Sequence, residues 1–160
     1  MDTEKDALVA SLNQVREHIT GAIEGLSEED LHRPALPSGW TPLGMVRHLT
    51  QDVEKFWFQC AVAGEPFATT AAEESWRVAA DEPAAAVVAQ YLDAIAKADA
   101  IIAATPLDAM PKWWPDFFND FPARPLRSTI LHVITETACH AGHLDAAREL
   151  TDGTQWLVLG

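Results

Sequence analysis

Polar side chains that can bind a metal ion lie close together near the C-terminal end of the sequence. Glu136 and His140 are four residues apart, His143 follows three residues later, and His132 precedes Glu136 by four residues. At about 100° per residue, these side chains fall within an arc of roughly 80° on one helix face. Since carboxylates and imidazoles are ligands for divalent metals, the spacing predicts part of a metal site. A complete site needs a further ligand from another element.

Four segments have the spacing of apolar residues that is typical of amphipathic helices. They cover approximately residues 3–26, 42–63, 83–104 and 126–150. Thr41 is suited to be the N-cap of the second helix and Pro42 its first residue. The charged residues of the first helix mostly lie off its apolar stripe, which predicts a solvated face. Four helices with two longer connections, at 65–83 and 107–125, predict an all-α chain folded as a four-helix bundle.

A third metal ligand is available on the second predicted helix. His48 lies there, one turn before Asp52, and a bundle can place this helix opposite the fourth one. Two imidazoles and one carboxylate with an open position are typical of catalytic zinc sites, and nickel, iron and manganese suit the same ligands. The predicted ligands are therefore His48, Glu136 and His140. On spacing alone, the alternative that His48 is a packed core or boundary histidine stays open.

The connection at 107–125 combines several prolines with large aromatic residues, so it cannot form a long regular helix. The aromatic residues are Trp113, Trp114, Phe117, Phe118 and Phe121. Side chains of this size must pack against another part of the molecule. Two compatible interpretations follow: the connection covers one end of the bundle as a lid, or it forms a wall of a substrate pocket.

The charge of the chain restricts its partners. A net charge of −13 repels phosphate backbones and anionic membranes, so we expect neither nucleic acid nor a membrane as partner.

No apolar run approaches the roughly 20 residues of a transmembrane helix, and the first residues lack the apolar core of a signal peptide. A cytoplasmic location is therefore expected. The length of 160 residues predicts one domain over residues 1–160.

The two cysteines, Cys60 and Cys139, are too few for a disulfide framework, and a single bridge between them stays open. Cys139 lies about 100° around the fourth helix from His140. We therefore expect Cys139 to face another helix and not the metal site.

Two stretches of the sequence resemble the motifs of the DinB-like superfamily. The first is Pro-Ser-Gly-Trp-Thr-Pro-Leu-Gly-Met-Val-Arg-His-Leu at 37–49, with Glu-Lys-Phe-Trp-Phe at 54–58. The second is Leu-His-Val-Ile-Thr-Glu-Thr-Ala-Cys-His-Ala-Gly-His-Leu-Asp at 131–145. Order and spacing match over nearly the whole chain. The sequence is most similar to an actinobacterial branch of unknown function, related to mycothiol-dependent maleylpyruvate isomerase and to bacillithiol S-transferases.

The resemblance implies an up-down-down-up four-helix bundle that is often a homodimer. It also implies one divalent metal; zinc is the metal we expect first, with nickel, iron and manganese as the alternatives. Matched residue by residue, His48 is the first ligand and His140 the last. Glu136 falls where many relatives have histidine, although the isomerase branch has glutamate there. His143 falls where relatives have glutamine or histidine, which makes it an auxiliary group or a spare ligand. Whether His143 or His132 replaces Glu136 stays open.

The activity that the resemblance implies is activation of a small thiol, mycothiol or bacillithiol, for S-transfer to an electrophilic small-molecule substrate. A metal-bound thiol is deprotonated, and the thiolate is the nucleophile. We expect His143 or Asp52 to carry the proton as catalytic residues. Arg148 is the candidate for binding a carboxylate of the thiol or substrate, against the alternative of an exposed arginine at a helix end.

Two other functions are consistent with the same residues. The first is a metal-dependent hydrolase or isomerase in which metal-bound water is the nucleophile. The second is a non-catalytic, metal-binding stress-response protein whose side chains fill the coordination positions. Turnover without added thiol would favour the hydrolase or isomerase.

Overall fold

A computed structural model describes residues 3–66, 74–118 and 121–156, and every regular element in these ranges is helical. In chain order the elements are α1 (Thr3–Ile23), α2 (Glu28–Leu31), α3 (Pro42–His48), a π-helix (Leu49–Val62), a 3₁₀ turn (Glu74–Trp76), α4 (Ala84–Ala104) and α5 (Leu126–Asp152). The prediction of an all-α helical bundle is confirmed.

The helix ends follow signals in the sequence. Thr41 caps α3, because its hydroxyl accepts a hydrogen bond from the backbone N–H of Gly44 (3.0 Å), and Pro42 begins the helix. α5 ends at Asp152, and Gly153 follows at φ 77°, a left-handed conformation that glycine adopts without strain. The long helices therefore begin and end within one turn of the predicted residues.

The second predicted helix consists of two elements. The α-helical hydrogen bonding of α3 ends at His48, and the wider π-helix begins at Leu49. At the end of the π-helix the N–H of Ala63 donates to the carbonyl of Phe58, five residues back (3.0 Å). The prediction of a helix here is confirmed, but its type is not the one expected. Because most side chains of this segment are buried, their apolar pattern does not distinguish the two helix types.

α1 and α5 run side by side in the same direction. Near their first turns Glu4 pairs with Arg127, and near their last turns His18 pairs with Asp145 (Nε2–Oδ1 2.8 Å). Because both pairs keep the same order along the two helices, α1 and α5 are parallel. This relation is required by the up-down-down-up order that the resemblance implies, and the full order stays a prediction.

The π-helix packs against both α4 and α5. Its contacts with α5 run in opposite order along the two elements. His48, just before the π-helix, lies against His140 (ring centroids 5.0 Å), whereas Trp57, later in the π-helix, lies against the earlier residue His132 (4.6 Å). The two elements are therefore antiparallel. This arrangement brings the end of α3 next to the middle of α5, where the other predicted metal ligands lie.

A buried ion pair joins α1 to the π-helix. Arg16 is 3% exposed and donates two hydrogen bonds to the carboxylate of Glu54 and one to Asp99 of α4, each 2.7 Å long. Burial lowers the pKa of Arg16, but the hydrogen bonds to Glu54 and Asp99 more than offset this effect and raise the pKa above its ordinary value. The predicted solvated face of the first helix is therefore wrong for Arg16, whose charge is balanced inside the bundle.

The aromatic connection packs onto the C-terminal part of the π-helix. The N–H of Trp113 donates to the carbonyl of Ala61 (3.1 Å), and the ring of Phe118 stacks on Trp57 (centroids 5.8 Å, interplanar 18°). The connection therefore covers this part of the bundle, as the lid interpretation expects.

Both cysteines are free thiols; Cys60 is buried and Cys139 is exposed. The expectation that Cys139 faces another helix is wrong, because this position of α5 lies on the outer surface of the bundle.

Within the described ranges, none of the helices combines the length and apolarity needed to cross a bilayer.

Candidate metal centre

The structure brings the three predicted ligands together. His48, Glu136 and His140 each offer one ligand atom, and these atoms all lie within 4.8 Å of one another. Among residues 3–66, 74–118 and 121–156, they form the one group of three or more histidine, cysteine or acidic side chains with this geometry. All three residues are partly buried. His132 and His143 do not belong to the group.

Two members of the group lie one turn apart on α5. The Nε2 atom of His140 is 3.2 Å from Oε1 of Glu136. Two ligands that each lie about 2.1 Å from one ion at a tetrahedral angle are about 3.4 Å apart. The separation on α5 is therefore suited both to a direct hydrogen bond and to shared coordination of one ion.

The third member is oriented by a carboxylate one turn further along its helix. Nδ1 of His48 is 2.8 Å from Oδ2 of Asp52, which fixes the ring and favours a proton on Nδ1. In this neutral tautomer Nε2 of His48 carries no proton, so its lone pair is available to a metal ion. This pairing of a carboxylate with the second nitrogen of a histidine is the usual support for metal-binding imidazoles.

Two ring nitrogens of the group are buried without a hydrogen-bond partner among the described residues. They are Nε2 of His48 and Nδ1 of His140. Since buried polar atoms almost always have a partner, these nitrogens indicate that the group is built to accept a further ligand. A divalent ion bound to Nε2 of His48 would satisfy that nitrogen, so the residues present fit a metal.

The environment also favours the form of histidine that binds metals. Burial lowers the pKa of the His140 imidazole and the neighbouring His48 lowers it further, while Glu136 opposes both effects. Because the net direction is downward, the neutral imidazole is favoured at neutral pH. Neutral imidazole is the ligand form.

Trp76 completes one side of the group, and nothing in its sequence context marked it as a site residue. Its indole stacks on the ring of His48 (centroids 4.0 Å, interplanar 12°) and lies edge-on to His140 (5.8 Å). The 3₁₀ turn approaches α3 closely, since a Cβ atom on Gly44 would lie 2.5 Å from the carbonyl oxygen of Trp76. The absence of a side chain at Gly44 therefore permits the stack.

A cavity of about 840 Å³ opens beside this stack, and we call it the Trp40 pocket. Its lining includes Trp40, Trp76 and Arg77. The imidazole of His143 lies near the rings of Trp40 (centroids 6.3 Å) and His140 (5.9 Å). The volume lies within the range of small-molecule sites, so the group of three ligands adjoins a pocket that can hold a substrate.

The remaining predicted site residues lie at different distances from the group. Asp52 contacts it directly through His48 and is 34% exposed, and His143 is exposed beside His140. Arg148 is two turns further along α5, where its guanidinium donates to the carbonyl oxygens of Ala22 (3.0 Å) and Glu24 (2.7 Å). It also pairs with Asp152 on its own helix. These contacts hold α5 against the end of α1.

One family model matches the sequence over most of its length. The model is described as mycothiol-S-transferase and matches residues 7–153, a range that includes the whole metal group. No curated protein and no solved structure matches the chain. The match confirms the relationship to DinB-like, mycothiol-linked enzymes that the motifs at 37–49 and 131–145 predicted. The chain therefore belongs to the mycothiol-S-transferase family.

Proposed function

We propose that the protein is a divalent-metal-dependent S-transferase that joins the sulfur of mycothiol, or of a similar small thiol, to an electrophilic carbon. One observation carries the proposal: His48, Glu136 and His140 offer three ligand atoms within 4.8 Å of one another in a chain of the mycothiol-S-transferase family. Two imidazoles and one carboxylate leave coordination positions open, as catalytic zinc sites do. Zinc is the metal we expect.

When bound, a divalent metal lowers the pKa of a coordinated thiol, so the nucleophilic thiolate is present at neutral pH. The chain contributes orientation and proton transfer. Asp52 holds the ring of His48 through Nδ1 (2.8 Å). His143 is exposed between His140 and Trp40, where it can take the proton of the thiol. Loss of this proton breaks the S–H bond. The sulfur then forms an S–C bond with the electrophile, and the leaving group departs with its electron pair.

The Trp40 pocket is the part of the molecule suited to the thiol cosubstrate. It adjoins the metal group through Trp76, which both lines the pocket and stacks on His48. The indole faces provide an apolar surface, and Arg77 provides a positive charge at the same pocket. A pocket with mostly apolar walls and few polar groups is typical of small-molecule sites.

The proposal is tested by measuring conjugation of a chromogenic aryl chloride with mycothiol, bacillithiol and glutathione. We expect turnover above the uncatalysed rate with at least one small thiol in the zinc-loaded protein, and its loss after chelation and in His140→Ala. His32→Ala is the matched control, because His32 contacts the carbonyl oxygen of Glu82 and lies outside the metal group.

Two results would contradict the assignment. The first is the absence of thiol-dependent turnover in protein with bound metal. The second is metal-dependent turnover of an ester or amide without added thiol, which would favour metal-bound water as the nucleophile.

A further inference from the structure

Two arginines differ from the other five in their surroundings. Arg16, Arg33, Arg47, Arg127 and Arg148 form ion pairs with carboxylates. Arg77 and Arg124 form none with the described residues, although the chain carries 24 acidic and only 11 basic residues. Each of these two arginines lines a cavity. Both are exposed, and a guanidinium at the wall of a cavity without a carboxylate partner is available to bind an anionic ligand.

Arg124 lines a cavity of about 380 Å³, which we call the aromatic pocket. Three of its walls are the rings of Trp57, Trp114 and Phe121. The rings of Trp114 and Phe121 are stacked (6.1 Å, interplanar 14°), and Nε1 of Trp114 donates to the carbonyl oxygen of Phe121 (2.9 Å). Contacts between these residues therefore fix two walls of the pocket, and flat walls of this kind favour a flat ligand.

The polar groups of the aromatic pocket are few. The guanidinium carbon of Arg124 lies 5.3 Å from the centre of the Phe121 ring, which holds the cation beside the aromatic walls. His132 lies edge-on to Trp57 (4.6 Å), and Ser128 adds a hydroxyl. One guanidinium matches one carboxylate, which it can bind through two parallel hydrogen bonds.

The aromatic pocket is also next to the metal group along α5. His132 lines the pocket, and Glu136 lies one turn later on the same face of the helix. Along the helix the order is His132, Glu136, His140 and His143. The aromatic pocket therefore lies on one side of the ligands and the Trp40 pocket, which His143 approaches, lies on the other side.

We propose that the aromatic pocket is a second small-molecule site that binds a planar aromatic or conjugated carboxylate, with the ring against Trp57, Trp114 and Phe121 and the carboxylate on Arg124. We further assign this ligand as the electrophile of the transfer, an assignment that rests on the proposed function. The metal group between the two pockets would then receive the thiol from one side and the electrophile from the other.

Binding is measured by fluorine NMR with para-(trifluoromethyl)benzoate as the probe and para-(trifluoromethyl)benzyl alcohol as its neutral counterpart. We expect Arg124→Gln to raise the dissociation constant of the carboxylate about tenfold, the usual loss of one charge-assisted contact, and to leave the alcohol unchanged. Phe121→Leu should weaken both probes, because both use the aromatic wall. Arg33→Gln is the matched control, because Arg33 is an exposed arginine paired with Glu29, and it should change neither.

The outcomes separate the pocket from the proposed function. A loss of carboxylate binding in Arg77→Gln but not in Arg124→Gln would overturn the proposal, as would no binding of either probe at about 5 mM. Probe binding should persist after chelation of metal. If it persists while the protein shows no thiol transfer, the pocket stands and the proposed function fails.

The assignment of the electrophile has its own readout. In the transfer assay, Arg124→Gln should raise KM for an aromatic electrophile that carries a carboxylate and leave KM for its neutral ester unchanged. Equal effects on the two electrophiles, or no effect on either, would overturn the assignment.

Discussion

The contact between Asp52 and His48 controls the geometry of the candidate centre. The sequence suggested Asp52 as a proton carrier, whereas the structure places its carboxylate on Nδ1 of His48 at 2.8 Å. A carboxylate in this position fixes the ring and increases the basicity of the other nitrogen. The two roles differ in what they predict for metal binding.

Removing this carboxylate should therefore weaken the metal site. In Asp52→Ala the imidazole of His48 can rotate and change its tautomer, so we expect metal affinity to fall about tenfold to a hundredfold. Competition with a chromophoric chelator measures the affinity. Asp93→Ala, which removes an exposed carboxylate from α4, is the control. Unchanged affinity together with lost activity at full metal occupancy would instead support the role of proton carrier.

Most of the metal group was predictable from the sequence because its geometry is local. Glu136 and His140 lie four apart on one helix, and regular helical geometry alone places them on the same face. His48 required the motif at 37–49, since spacing did not exclude a packed core histidine. Trp76 could not be predicted, because its stack on His48 depends on where the 3₁₀ turn at 74–76 packs.

At the level of elements, the close approach of the 3₁₀ turn to α3 depends on Gly44. A methyl group on this residue would lie 2.5 Å from the backbone oxygen of Trp76, and backbone cannot move aside as a flexible side chain can. The turn at 74–76 must therefore shift if Gly44 gains a side chain. Such a shift would remove the indole from His48.

We accordingly expect Gly44→Ala to lower the free energy of unfolding by about 1–3 kcal/mol, as other overpacked sites do, and to expose Trp76. Gly142→Ala is the matched control, because no heavy atom lies within 4 Å of a Cβ built there. In the middle of α5 this control should raise stability by about 0.5–1 kcal/mol. Denaturant unfolding of both variants provides the comparison; equal, small effects would contradict the steric account of Gly44.

The long helices were predictable because each has an amphipathic pattern, with proline or glycine near its ends. The sequence did not predict the π-helix, whose side chains are mostly buried. Hydrogen bonds that span five residues instead of four widen each turn and change which residues face α4 and α5. Because a segment surrounded by other elements is apolar on most sides, its sequence pattern does not reveal that change.

At the scale of the whole molecule, the buried contact of Arg16 with Glu54 joins three helices, since Asp99 of α4 binds the same guanidinium. A prediction from hydrophobic periodicity assigns charged residues to the exposed face, so it could not predict this buried contact. Two opposite charges are balanced inside the bundle, and removal of one leaves the other without its partner.

We expect Arg16→Met to lower the free energy of unfolding by about 3–5 kcal/mol, because the carboxylate of Glu54 stays buried without its cation. The double variant Arg16→Met/Glu54→Leu should recover much of this loss, since neither charge is then present. Arg127→Ala, at an exposed pair with Glu4, should cost less than about 1 kcal/mol. Denaturant unfolding measures all three, and a double variant as unstable as Arg16→Met would contradict the account.

The central claim is that His48, Glu136 and His140 bind one divalent metal ion. Elemental analysis of purified protein after exhaustive dialysis tests it most directly, with His48→Ala, His140→Ala and the control His32→Ala prepared in parallel. We predict about one ion per chain in the wild type and the control, and its loss in both variants of the group. Stoichiometric metal that survives both substitutions, or a wild-type chain that binds no divalent metal, would contradict the claim.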